Sequence, residues 1–306
     1  MDLLYPAAMA HQETVALPEG TRYQDVSAAM ELIYLDFPEL FQVAENYTTH
    51  YYSHAPEIAT GVTLTYRLTK QDADNLRRSA LQQAGRLAAR AAGSTADKLL
   101  MIHDSLCDVI TYEDTGTLSH TIAGALLNGY AVCDGYANAF TLTARLCGIP
   151  CTTINGTGYS ANSVGPHAWN AASVDGVFSY YDLTWDDADA EGRIMHWYVG
   201  LSLEQMQRDH TAASPDMDYR PSDDRHEYHR LHGITDLSRL QDAAWAFAQS
   251  GTPVEIRLTD REQYLAFPDT FSALLDDYNR AHLQAQFTGS YSILRSDEQL
   301  CCYVGR

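Results

Sequence analysis

The chain has 306 residues, 45% apolar and 20% charged, which is enough for one large domain or two modest ones with real cores and too apolar for a disordered chain. Lys plus Arg is 20 against 40 Asp plus Glu, a net charge of -20 that repels polyphosphate and anionic lipid, so neither nucleic acid nor membrane is an expected partner. No apolar run approaches the roughly 18 to 20 residues of a membrane helix, and the opening MDLLYPAAMAHQ lacks the basic-then-apolar pattern of a secretion signal, which makes a cytoplasmic location the default.

In chain order, Val26, Met30, Ile33, Tyr34 and Phe37 recur at helical spacing and predict a first helix over 23–41, broken at Pro38. Alternation with β-branched and aromatic residues predicts strands at 46–52 and 61–69. Helical composition returns over 72–92. Gly93-Ser94-Thr95 then ends that helix and caps another, expected from 96 to about 112. A helix should start near Cys133 and stop at Gly148, with Pro150 beyond. Strands are expected at 151–156, 167–174 and 177–184, with 157–166 a short open loop and Asp175-Gly176 a hairpin turn. The polar stretch 211–233 reads as a boundary or wrapping segment. Beyond it the pattern is helix 236–250, strand 253–259, helix 261–281 interrupted by Pro268, and strands 290–294 and 299–304. The expected organisation is an N-terminal helix and strand region (1–95), a core (96–210), a linker (211–233) and a small α+β module (234–306).

Six cysteines are too few for a disulfide scaffold, and buried thiols are the plain expectation. Cys133 differs, because a helix N-terminus favours the anionic thiolate. Gly135 would remove a side chain beside the sulfur, and Gly129 would allow a tight entry to the helix. The hairpin supplies the partners. With Asp175 and Gly176 as its loop, Val174 faces Val177, so Asp182 faces Trp169 and His167 faces Thr184. His167 and Asp182 become diagonal neighbours on one face, about 7 to 8 Å apart at the backbone, which suits a carboxylate accepting an imidazole proton. Cys133, His167 and Asp182 thus offer nucleophile, base and orienter for acyl transfer.

The block Gly129 to Ala137 (GYAVCDGYA), then Leu146-Cys147-Gly148-Ile149-Pro150, His167-Ala168-Trp169-Asn170 and Asp182 to Asp187 (DLTWDD), resembles the core of bacterial transglutaminase-like proteins. Phe37 to Phe41, Ile102-His103-Asp104, Trp197-Tyr198-Val199 and Asp209-His210 resemble its flanking segments, so the likeness spans about 20–220. It implies an α+β class: a papain/transglutaminase-like core with the nucleophile helix packed on an antiparallel sheet, here followed by the small C-terminal module. It also implies Cys133, His167 and Asp182 as catalytic residues acting on peptide or glutamine side-chain amides through a thioester. Water is the expected acceptor; a cross-linking transglutaminase and a non-catalytic peptide or cell-wall binding module are the alternatives. Trp169 and Trp185 are candidate walls of the acyl groove.

No cofactor and no metal are expected. Cys147 and Cys151 make half a zinc spacing without a second pair. Asp187, Asp189 and Glu191 open like a calcium loop but meet Tyr198 where the bidentate acid belongs. His226 to His232 falls short of the two-His zinc spacing and is expected to be exposed.

Overall fold

Two short elements that carry no periodic signal, α1 (Leu4–Ala10) and β1 (Thr14–Ala16), precede the first amphipathic helix, α2 (Tyr23–Asp36). They belong to a computed structural model that describes residues 1–160, 163–187, 193–214, 221–235 and 237–306. Helix α2 stops before Pro38, and strands β2 (Val43–Tyr52) and β3 (Ala55–Tyr66) form a sheet in the order β1-β3-β2. Val26, Met30 and Ile33 of α2 close over its inner face, Val62 and Leu64. The end of α2 is tied to the core, where Arg145 Nη2 donates to Asp36 Oδ1 at 2.7 Å.

Helix α3 (Lys70–Ala88) leads to α4 (Thr95–Cys107), which opens on a capping box between Ser94 and Asp97. α4 is shorter than its periodicity suggests. Thr111 N–H donates to Gly129 O at 2.8 Å, so the backbone that would extend the helix pairs instead as β4 (Thr111–Tyr112) with β5 (Tyr130–Ala131). The chain then enters α5 (Cys133–Leu146).

α5 packs on a five-stranded antiparallel sheet of order β10-β6-β7-β8-β9, built from β6 (Cys151–Ser160), β7 (Ser163–Val174), β8 (Val177–Tyr181), β9 (Val199–Leu201) and β10 (His210–Ala212). Phe140 of α5 and Tyr181 of β8 lie with ring centroids 5.1 Å apart, both essentially fully buried. Each such burial stabilises by about 1.5 to 3 kcal/mol. The expected loop 157–166 is corrected: β6 and β7 stay paired out to Ser160 and Ser163. The third strand ends earlier than expected, because Asp182 turns the chain into the short helix α6 (Leu183–Asp186).

The stretch after β9 holds α7 (Leu203–Met206) and α8 (Tyr228–Leu231) and wraps the sheet; Phe178 N–H of β8 donates to Pro221 O at 2.8 Å. The exposure expected for 226–232 holds at Arg230, Leu231 and His232 and is corrected at Glu227 and His229, which are buried because Arg257 and the first-turn amides of α8 satisfy Glu227. The remainder, α9 (Leu240–Ser250), β11 (Val254–Arg257), α10 (Arg261–Ala281), β12 (Ser292–Ser296) and β13 (Cys301–Gly305), has its own sheet, in the order β11-β13-β12. Pro268 does not interrupt α10. Phe267 and Phe271, both fully buried, hold the helix through a residue that costs about 3 kcal/mol in a helix interior.

Candidate active site

Cys133 is the first residue of α5, and its sulfur side is half-buried. Val132 before it is extended, at φ -106° and ψ -176°, and its N–H donates to Ser119 O at 3.0 Å, which sets the angle of entry. A Cβ on Gly135 would lie 2.4 Å from Ser119 O, so this glycine admits the backbone of the preceding loop. The clearance therefore serves that close approach and not the sulfur. Gly129, at φ +73°, makes the turn into β5.

The hairpin register is the one its turn predicts: Val174 pairs Val177 and Asn170 pairs Tyr181. One step further the ladder ends and Asp182 swings in, with His167 Nε2 donating to Asp182 Oδ2 at 2.7 Å. Asp182 Oδ1 accepts the backbone N–H groups of Thr184 and Trp185 at 3.0 and 3.3 Å, so one carboxylate caps α6 and orients the imidazole. On the same ring the Cys133 side chain acts as a second group that raises the imidazole pKa. Asn170 holds strand to helix, donating to Ala137 O and Thr141 Oγ1 of α5, both at 2.9 Å. Burial opposes the imidazolium, but Asp182 and Cys133 push His167 up to about 10. Burial likewise opposes the Asp182 carboxylate, yet His167 and His210 hold it well below the usual carboxylate range.

A cleft of about 650 Å³ opens beside His167, walled by Tyr112, Thr184 and Trp185. Trp185 lies against the imidazole, with ring centroids 5.0 Å apart. Trp169 is 3% exposed and is absent from the cleft wall. It packs with Ile154, Tyr180 and Leu201 beneath the histidine, so the expectation that it contacts substrate is corrected to a packing role.

Residues to which the sequence assigned no role complete the surroundings. His210 is buried, with Nε2 3.1 Å from Asp182 Oδ2 and Nδ1 2.7 Å from Asp209 Oδ1. Twenty-eight residues separate His210 from Asp182, and no turn fixes their register; the adjacent Asp209-His210 pair was the sole signal. A second cluster joins His103, Asp104, His196 and Glu255, each contact between 2.9 and 3.1 Å. His103-Asp104-His196 and His167-Asp182-His210 each bring three potential ligand atoms close together, but these atoms are mutually hydrogen-bonded. The sulfurs of Cys147 and Cys151 point to different partners, Ala88 O and Thr141. Of the acidic loop, Asp187 accepts a hydrogen bond from Tyr136, whereas Asp189 and Glu191 lie outside the described residues.

Over 61 residues the sequence is 39% identical to kyphoscoliosis peptidase of Homo sapiens and 38% identical to that of Mus musculus, a match over 17% of this chain. The chain spans only 9% of those relatives' length. A candidate cysteine protease from Cytophaga hutchinsonii aligns with 56% of this chain and 67% of its own, at 17% identity and a TM-score of 0.31. A TGase structure aligns with 52% of this chain and 47% of its own, at 13% identity and a TM-score of 0.33. The family match falls on the segment that carries α5, β6, β7, β8 and α6: residues 82–190 match the model of the transglutaminase-like superfamily.

Proposed function

We propose that the chain is a cysteine-dependent acyl-transfer enzyme that cleaves peptide or glutamine side-chain amides and passes the acyl group mainly to water. One observation carries the reading: a buried carboxylate orients His167 at 2.7 Å, and a half-buried cysteine at a helix N-terminus is close enough to raise the pKa of that imidazole. In this reading the Cys133 thiolate attacks the amide carbonyl and the protonated His167 gives its proton to the leaving amine. The thioester that results is opened by water, from which His167 takes a proton. The Cys133 backbone N–H, in the first turn of α5 with no helical carbonyl to bind, is a candidate oxyanion donor.

Hydrolysis is favoured over amine transfer on physical grounds. An amine outcompetes bulk water only where the thioester is enclosed, and the cleft of about 650 Å³ beside His167 has polar groups, Asp187 and Arg193, along its wall, which suits water. The test is product partitioning by mass spectrometry on glutamine-containing peptides with a fluorescent primary amine present. Free acid should dominate. A dominant amine adduct would make the protein a cross-linking enzyme, and neither product across a broad peptide library would favour a binding module.

A further inference from the structure

We infer that Gln299 and Arg257, both from the C-terminal segment, are positioning residues for the candidate catalytic pair, acting through Asp209 and His210. This rests on the acyl-transfer reading of Cys133, His167 and Asp182.

The path consists of buried, directional contacts. Arg257 is 5% exposed, and its Nη1 donates to both the carbonyl and the side-chain oxygen of Gln299, each at 3.0 Å. Its Nε donates to Glu227 Oε1 at 3.0 Å, and Nη2 donates to Trp197 O. An arginine has no acceptor, so the Gln299 amide has one consistent orientation: Oε1 toward Arg257, Nε2 toward acceptors. Nε2 donates to Asp209 Oδ2 at 2.9 Å and to Gln205 O at 3.2 Å. Asp209 Oδ2 also accepts from Tyr198 Oη at 2.8 Å, and with that oxygen occupied, Oδ1 faces His210 Nδ1 at 2.7 Å. That contact places a proton on Nδ1. At the far side of the ring, Nε2 lies 3.1 Å from the Asp182 oxygen that also receives His167.

The result alternates in sign: Asp209, His210, Asp182, His167, Cys133. Burial opposes a charge on His210, and its hydrogen bonds to Asp182 and Asp209 outweigh that and raise it. The other groups facing His210 are His167, Trp169, Trp185 and Tyr198, with ring centroids 4.4 to 5.6 Å away. None of these rings carries charge opposite to the imidazolium, and among the described residues Asp209 is the carboxylate at the outer nitrogen. A proton donor lost at Gln299 leaves Tyr198 as the remaining donor to Asp209 Oδ2, which loosens the carboxylate and with it His210 and the Asp182 oxygen that orients His167. The C-terminal segment therefore takes part in setting the candidate site.

The experiment measures the rate of Cys133 alkylation against pH in the full chain, together with turnover and melting temperature. In the unaltered protein the profile should show an acid limb as the thiolate–imidazolium pair forms and an alkaline change as His167 loses its proton; its absence would overturn the acyl-transfer reading itself. Gln299→Glu keeps the shape and the Arg257 partner and loses the donor to Asp209. It should move the acid limb up and the alkaline limb down, narrowing the window by at least half a pH unit, and lower kcat about tenfold with KM held. Gln299→Met should do the same. Either variant folded, with both limbs and kcat unchanged, overturns the inference, because a segment that only adds stability would lower the melting temperature and leave the limbs in place. A readout on the unaltered chain covers variants that fail to fold: an imidazole nitrogen NMR titration should show His210 losing its second proton above the range of an ordinary imidazole, and a ring that titrates within or below that range overturns the inference.

Discussion

Among the described residues, two groupings of cysteine, histidine and aspartate sit at opposite ends of helices. Cys133 is the first residue of α5, half-exposed, beside His167 and Asp182. Cys107 is the last residue of α4, buried, with its sulfur 4.0 Å from His103 Nε2; His103 in turn contacts Asp104 at 2.9 Å and Asp186 at 3.3 Å. The residue types are the same and the chemistry differs. The positive end of a helix dipole favours a thiolate and the negative end disfavours it, and burial pushes the Cys107 thiol up against the pull of His103. Composition does not make a nucleophile; the end of the helix and the access of solvent do.

The sharpest break of that comparison is deletion of each sulfur. Cys133→Ala should lower turnover by at least about 10⁴-fold, whereas Cys107→Ala should change it less than about threefold while costing about 1 kcal/mol of stability, read by steady-state kinetics and urea melts. Comparable losses of turnover from both would erase the distinction. Next in size, Asp182→Asn should lower kcat by about 10³- to 10⁴-fold with the fold retained, because the imidazole loses its orienting acceptor. Its counterpart Asp186→Asn should spare kcat and cost about 2 kcal/mol, since Asp186 accepts the backbone N–H groups of Trp197 and Tyr198 and the His103 ring.

The pH dependence of stability sharpens the comparison further. His167 is pushed up to about 10 and His196 to about 9, the latter against burial by Asp104 and Glu255. Groups raised above their unfolded values add stability that is fully present below about pH 6.5 and is lost as pH climbs through the folded values. Glu227, which burial opposes and His229 and Arg257 bring down to about 2, adds stability above about pH 4.5 that is lost on acidification. Burial raises Asp186 to about 6, so its contribution is lost in the other direction, between about pH 4 and 6. Melting temperature should therefore be highest between about pH 5 and 6.5, decline steadily as pH rises toward 10, and fall clearly by pH 3. In His167→Gln the alkaline fall should shrink but persist, because His196 remains.

The smallest effect is selectivity of labelling. Burial pushes up the thiols of Cys107, Cys147 and Cys301, and brings Cys151 and Cys302 to about 12. With the imidazolium of His167 beside it, Cys133 should be alkylated first at pH 6, as mapped by mass spectrometry. Labelling led by Cys107 would reverse the comparison.

Much of the candidate site was legible where the relevant contact was local in sequence. The Asp175-Gly176 turn sets the register of β7 and β8, and that register by itself brings His167 to Asp182. The Gly129 to Ala137 block marks the start of α5 within one residue. For Trp169, alternation tells which face a side chain shares and not what covers that face; here Ile154, Tyr180 and Leu201 pack against it. Pro268 reads as a break because local propensity favours one, and Phe267 and Phe271 override it.

By itself the sequence determined the helix that heads with Cys133, the hairpin that carries His167, and the Asp182 step that follows it, since each depends on contacts within a few residues and on backbone preferences of glycine, proline and aspartate. Tertiary structure alone decided which carboxylates meet which imidazoles elsewhere. Asp36 reaches Arg145 across 109 residues, His196 joins Asp104 to Glu255, and Gln299 reaches Asp209 across 90. Such pairings have no period and no turn to announce them. They are selected because a buried polar group without a partner costs more than the chain entropy of closing a long loop, which grows only slowly with loop length.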